Sequence, residues 1–134
     1  MANKRMINRN LIESDKFIEL SHAAQVLYFC LILRADDDGF LQFSKRILRV
    51  FGVEEDNLQE LLDKNLIIKF DSGVVAITHW SLHNSIRKDR YKPTVWQEEK
   101  SQLIDNGNGY ERRKNEKEVF LVKTSRGLFL KYEN

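Results

Sequence analysis

A mainly helical α+β fold is the class that the sequence of 134 residues predicts, on three observations. An apolar stretch headed by a serine occupies residues 21–35. Two shorter amphipathic stretches, separated by Gly52, follow it. Two β-branched runs then flank Asp71-Ser72-Gly73. Helix, short strand, helix, glycine turn, helix and β-hairpin is the order of a winged helix-turn-helix, three helices plus a hairpin wing. Here it carries a C-terminal extension.

The first helix opens at Ser21, whose hydroxyl can accept a free first-turn N–H. Ala23, Ala24, Val26 and the run to Leu33 continue it to Arg34-Ala35. It is apolar almost all the way round, which predicts cover on several sides. Asp36-Asp37-Asp38-Gly39 reads as a helix stop and turn, with glycine free to take a positive φ. Phe40 to Phe43 is a short extended piece. Ser44 caps a second helix, Lys45 to Phe51, which places Ile47, Leu48, Val50 and Phe51 on one face and Lys45, Arg46 and Arg49 on the other. Gly52 is the turn.

Glu54 to Lys64 is the third helix. Leu58, Leu61 and Leu62 form a narrow core stripe, and Glu54, Glu55 and Asp56 sit in the first turn, where the helix dipole favours them. Asn65 follows as a C′ residue. Leu66–Phe70 and Val74–Thr78 are the wing strands, with Asp71–Gly73 at the tip. Pro93 forces Lys92 into extended geometry, so residues 86–94 read as an arm. Val95 to Ile104 is expected to be a short final helix. Asp105-Asn106-Gly107-Asn108-Gly109 reads as a linker, and Val119–Val122 with Leu128–Leu130 as a weak last hairpin. The expected organisation is a winged-helix domain with a basic arm over 1–104 and a short tail over 105–134.

A net charge of +2 allows no argument from global charge. By segment, residues 1–20 carry +1, residues 21–85 carry −3 and residues 86–134 carry +4. The single cysteine, Cys30, allows no internal disulfide, which predicts a reducing compartment, the cytoplasm. The start MANKRMINRN lacks the apolar segment of a secretory signal. The longest apolar run, Val26 to Leu33, falls far below the roughly 18 residues of a membrane span, so no membrane partner is expected.

Catalytic and metal-binding patterns are weak. His79 and His83 are four apart, without a third ligand at suitable spacing. Asp36–Gly39 lacks the alternating ligands and the glutamate of a calcium loop. Cys30 lies in the most apolar stretch, where a thiolate is disfavoured. The nucleophile-elbow, P-loop and dinucleotide glycine motifs do not occur. A non-enzymatic protein without metal or cofactor is expected.

Basic patches carry the remaining signal. Arg87, Lys88, Arg90 and Lys92 fall within six residues with Tyr91 among them. Such a segment neutralises phosphates and releases counterions, and its aromatic ring packs on sugar or base. Lys45, Arg46 and Arg49 can meet backbone phosphates, as the first helix of a helix-turn-helix does. Lys4, Arg5 and Arg9 form a lesser cluster. The third helix opposes a groove-reading role: Asn57 and Gln59 could reach base edges, but Glu54, Glu55, Asp56, Glu60 and Asp63 surround them.

MANKRMI at the start, SDKF (14–17), AQVLYF (24–29), LRADDDGF (33–40), SGVVAITHW (72–80) and IRKDRYKPT (86–94) together resemble the N-terminal winged-helix domain of phage replisome organisers. These are replication initiation proteins of phages and prophages of low-GC Gram-positive bacteria, related in architecture to DnaD-type primosome proteins. The resemblance covers about residues 1–104, and RADDDG and RKDRYKPT are its most specific pieces. It implies binding to double-stranded phage origin DNA and recruitment of host replication initiation or helicase-loading proteins. Family members usually continue into a longer C-terminal region, so a minimal or truncated relative, or a divergent tail, is expected.

The first expectation is therefore a DNA-binding replication protein that uses Arg87, Lys88, Arg90, Tyr91 and Lys92, with Lys45, Arg46 and Arg49. A protein-contact module, homodimeric or recruiting, is the second. A small phage transcriptional regulator bound to a palindromic operator is the third.

Overall fold

The computed structural model describes residues 3–113, so the hairpin expected at Val119–Val122 and Leu128–Leu130 lies outside the described residues. Two single-turn helices come first, α1 (Arg9–Ile12) and α2 (Asp15–Ile18). Sequence patterning missed both, because an apolar period needs more than one turn to show. Their ends are held locally instead: Asn8 Oδ1 accepts the Leu11 N–H at 3.0 Å and Ser14 Oγ donates to the Leu11 carbonyl at 2.6 Å.

Helices α3 (His22–Arg34), α4 (Lys45–Phe51) and α5 (Glu55–Asp63) follow, with strand β1 (Phe40–Gln42) between the first two. Ser21 caps α3 as expected, its Oγ accepting the Ala24 N–H at 3.1 Å. Glu60 of α5 binds the same serine through its N–H at 2.9 Å and its hydroxyl at 2.6 Å. One of the four acidic side chains of α5 is thus committed to holding α3. Gly52 closes α4 at φ 66°, and Asn65 takes the left-handed conformation after α5 at φ 56°. At Ser44, the N-cap of α4, no side-chain capping bond forms.

As expected, α3 is covered on several sides, though not all the way round. Ala24, Leu27, Tyr28, Leu31 and Ile32 are buried against α4, α5 and the sheet, whereas Val26 is 45% exposed and Leu33 50%. With Phe29 and Cys30 between them, these residues share one helical face at i, i+3, i+4 and i+7. Phe17 of α2 packs on Phe29, so the stripe is only partly covered, with Val26 and Leu33 left exposed among the described residues.

Strands β2 (Ile67–Lys69) and β3 (Val74–Ile77) form the expected hairpin, and β1 joins its other edge to give the antiparallel order β1-β3-β2. Successive side chains point to opposite faces. Leu41, Ile67, Val75 and Ile77 enter the helical core, while Phe40, Ile68, Val74 and Ala76 face the other way. That second face is covered too, by Phe70, Leu103, Trp96 and Tyr110.

The cover comes from the C-terminal extension. After α6 (Trp80–His83) and the arm, the chain forms α7 (Gln97–Ser101), β4 (Leu103–Asp105) and β5 (Tyr110–Arg112). The single final helix expected over Val95 to Ile104 is therefore a shorter helix followed by a strand. The expected linker Asp105–Gly109 is the turn of an antiparallel hairpin. Its residue types are those of a turn. Asp105 Oδ1 accepts from the Gly107 N–H and Asn106 Oδ1 from the Asn108 N–H, each at 2.9 Å, and Gly107 takes φ 95°. No helix among the described residues is long and apolar enough to cross a membrane.

Candidate functional site

The turn Asp36–Asp38 organises the surface that the basic arm occupies. Asp36 Oδ1 accepts the backbone N–H groups of Asp38 and Phe40, each at 3.0 Å, and so shapes the turn. Gly39 then passes at φ 87°, and a Cβ there would stand 2.6 Å from Trp80 Cγ. Only glycine fits both demands. The indole of Trp80 donates through Nε1 to the Asp37 carbonyl at 2.8 Å.

The Asp38 carboxylate is 7% exposed with its residue and receives three donors. The Tyr91 hydroxyl lies 2.8 Å from each oxygen, the Thr94 N–H 2.8 Å from Oδ2 and the Lys100 ammonium 3.2 Å from Oδ1. Its carbonyl accepts the Tyr110 hydroxyl at 2.7 Å. Asp37 Oδ2 accepts the Lys92 N–H at 3.0 Å, and its Oδ1 pairs with Arg5 at 3.1 Å. Burial, then the hydrogen bond to Asp38, pushes the Tyr91 phenol up, so it remains a donor at neutral pH. The carboxylates of Asp37 and Asp38 thus bind the N-terminal segment, the arm and α7, and the Asp38 carbonyl binds β5. A turn was expected here; the clamp was not. The available signal was the opposite sign of ADDDG and RKDRYKPT.

Beneath the arm runs a groove of about 840 Å³, walled by β1, by Ile47 of α4 and by residues 86–96. Lys4, Arg5, Arg34, Arg90 and Lys92 line it, with Asp36 and Asp37 as its carboxylates. Both carboxylates are committed to the bonds just described. Among the described residues Lys4, Arg34, Arg90 and Lys92 make no ion pair. The Arg5 side chain is nearly buried, packs over the Trp80 ring at 5.2 Å and donates to the Ala35 carbonyl at 2.9 Å. Its Nε has no hydrogen-bond partner among the described residues.

The cations expected from sequence are therefore only partly brought together. Arg90 and Lys92 line the groove. Arg87 and Lys88 are exposed outside it, and Arg87 pairs with Asp89 at 3.2 Å. Lys45 reaches Glu55 at 3.4 Å across an exposed pair, while Arg46 and Arg49, on the exposed side of α4, make no ion pair among the described residues. None of these three lines the groove. Tyr91 keeps an exposed ring, but its hydroxyl is taken by Asp38. Arg34, not singled out in the sequence, enters the groove because α3 ends there; its guanidinium lies 5.3 Å from the Phe51 ring.

The turn between β2 and β3 is tied back to the extension. Ser72 donates to Glu99 at 2.6 Å, and Arg112 donates to the Lys69 carbonyl at 2.7 Å while stacking over Phe70. His83 is buried, with Nδ1 accepting the Asn8 N–H at 2.7 Å and Nε2 lying 2.7 Å from the Tyr28 hydroxyl. Burial, then the neighbouring His79, pulls its pKa down to about 4. The ring is neutral at pH 7, and both nitrogens are used in packing the N-terminal segment onto α3. His79 meets the Asn108 carbonyl at 3.1 Å instead.

Comparison with protein-family models, with curated proteins and with solved structures finds no match to this chain.

Proposed function

We propose that the protein is a non-enzymatic DNA-binding protein of replication initiation, built as a winged helix and related to phage replisome organisers. The order α3, β1, α4, glycine turn, α5 and the β2–β3 hairpin supports the winged-helix reading, and the sequence phrases support the family. The observation that carries the DNA contact is the strapped arm. Its backbone is held at Lys92 and Thr94 by Asp37 and Asp38, and a turn on the Arg87 carbonyl precedes them, while the side chains of Arg87, Lys88, Arg90 and Lys92 are left exposed. A fixed row of cations meets phosphates with little ordering cost. The acidic face of α5 and the tethered wing tip take no part. The duplex is expected to be phage origin DNA, with host initiation or helicase-loading proteins as partners.

Duplex binding measured by fluorescence anisotropy tests the assignment. Four phosphate contacts predict a loss of about 100-fold in affinity between about 50 and 200 mM salt. Arg87→Glu/Lys88→Glu/Arg90→Glu is expected to abolish binding, with heparin as the anionic control. Affinity unchanged by that triple substitution refutes the arm as the contact.

One observation favours a second reading, a protein-contact module. The partly covered stripe of α3 with Val26 and Leu33 offers apolar surface to a second copy or a partner. Light scattering decides it: an oligomer without duplex affinity replaces the first reading with this one.

A further inference from the structure

We propose that the groove beneath the arm docks an acidic peptide segment with apolar side chains, presented by a partner protein. The site goes beyond the duplex contact, with which it shares Arg90 and Lys92, and is carried by the apolar walls and by Lys4 and Arg34, which that contact does not use. Its rim holds Lys4, Arg34, Arg90 and Lys92, none of which has a carboxylate partner among the described residues. Its walls are apolar, with Leu41, Ile47, Ile86 and Val95 beside the aromatic Phe40 and Trp96. Val95 is 82% exposed, an unusual position for a large apolar side chain beside a concave surface.

The pairing of rim and walls selects the occupant. An acidic segment places carboxylates on the rim cations while its aliphatic side chains fill the floor, the arrangement of a polar rim around an apolar centre. Nucleic acid suits these walls poorly. Bases stack on open planar groups, whereas Phe40 here is fully buried and Trp96 is packed against the second sheet face. Duplex binding is dominated by phosphate contacts and makes no use of an apolar floor. The chain's own residues 114–134 carry five basic and three acidic side chains, so they bring like charge to the rim. The acidic helix α5 of a second copy has the right sign, but Leu58 and Leu61 are buried in its own core. The nearly buried Arg5 guanidinium adds an Nε–H without an acceptor among the described residues.

A fluorescein-labelled dodecapeptide with four aspartates and two leucines tests the site by anisotropy on the full chain. A version with lysines for the aspartates and a single-stranded thymidine oligonucleotide are the other arms. Roughly micromolar binding of the aspartate peptide is expected, with none by the lysine peptide. Val95→Asp and Lys4→Glu, both at exposed positions, should each weaken it at least tenfold and leave duplex affinity within about twofold. Arg87→Glu/Lys88→Glu, outside the groove, should do the reverse, so failure of the peptide site and failure of the duplex contact are read separately. Absence of aspartate-peptide binding overturns the proposal. So does indifference to Val95→Asp and Lys4→Glu together, or binding of the oligonucleotide alone in a manner lost in those variants.

Discussion

Replacing Asp38 with alanine should release the arm from the domain, and the structure sets the size of the effect. The substitution removes the acceptor for three donors at once. The Thr94 N–H, on a residue 3% exposed, is left unpaired in a buried position, at a cost of about 1–3 kcal/mol. The Tyr91 hydroxyl and the Lys100 ammonium are near enough to solvent to turn to water, so each loses about 0.5–1 kcal/mol. Relief of the buried carboxylate's desolvation offsets part of this. The expected net loss is about 3 kcal/mol, a factor of roughly 100 in the opening equilibrium of residues 86–96. Trypsin reports it directly, because the bonds after Arg87, Lys88 and Arg90 are cleavable, whereas the bond after Lys92 precedes Pro93. Cleavage in the arm should accelerate about 100-fold under conditions where opening is fast. Asp38→Asn should lie between, since it retains an acceptor without the charge. Cleavage of the alanine variant within about twofold of the parent, with an unchanged urea midpoint, would show that the clamp does not hold the arm.

Two further outcomes follow from buried groups. His83 is neutral in the folded protein with its pKa at about 4, below its ordinary 6.5. The unfolded chain therefore binds the extra proton first as pH falls. This group's contribution is present above pH 6.5 and is lost as pH falls toward about 4, amounting to about 3 kcal/mol. Urea unfolding across that window should show the slope, and His83→Gln should flatten it; an identical slope in the variant refutes the assignment. Gly39→Ala forces a Cβ to within 2.6 Å of the Trp80 ring at φ 87°, and should cost at least about 3 kcal/mol. A urea midpoint near that of the parent would show that the turn relaxes freely.

The local elements were readable because their signals are local. Ser21 at a helix head, Gly52 and Asn65 at helix ends, and Gly73 between two β-branched runs each act within a few residues of their own backbone. The run Val74–Ile77 also carried a message beyond strand. Without alternation it belongs to a strand buried on both faces, and the extension with Trp96, Leu103 and Tyr110 supplies the second cover. Asp105–Gly109 misled in the opposite direction, since glycine and asparagine serve hairpin turns and linkers alike, and only the pairing of β4 with β5 separates the two.

The candidate site depended on distances along the chain that no local pattern reports. By itself the sequence determined the α+β class, the helix order, and a basic arm beside an acidic core. Whether Asp36–Asp38 was a mere turn or a clamp depended on residues 53 to 72 positions away, Tyr91, Thr94, Lys100 and Tyr110. Likewise Arg34 and Arg5 joined Arg90 and Lys92 only because α3 ends where the arm crosses it. Propensity and capping act through neighbours in sequence, whereas burial of carboxylates and convergence of cations depend on which surfaces meet, and only tertiary packing decides that.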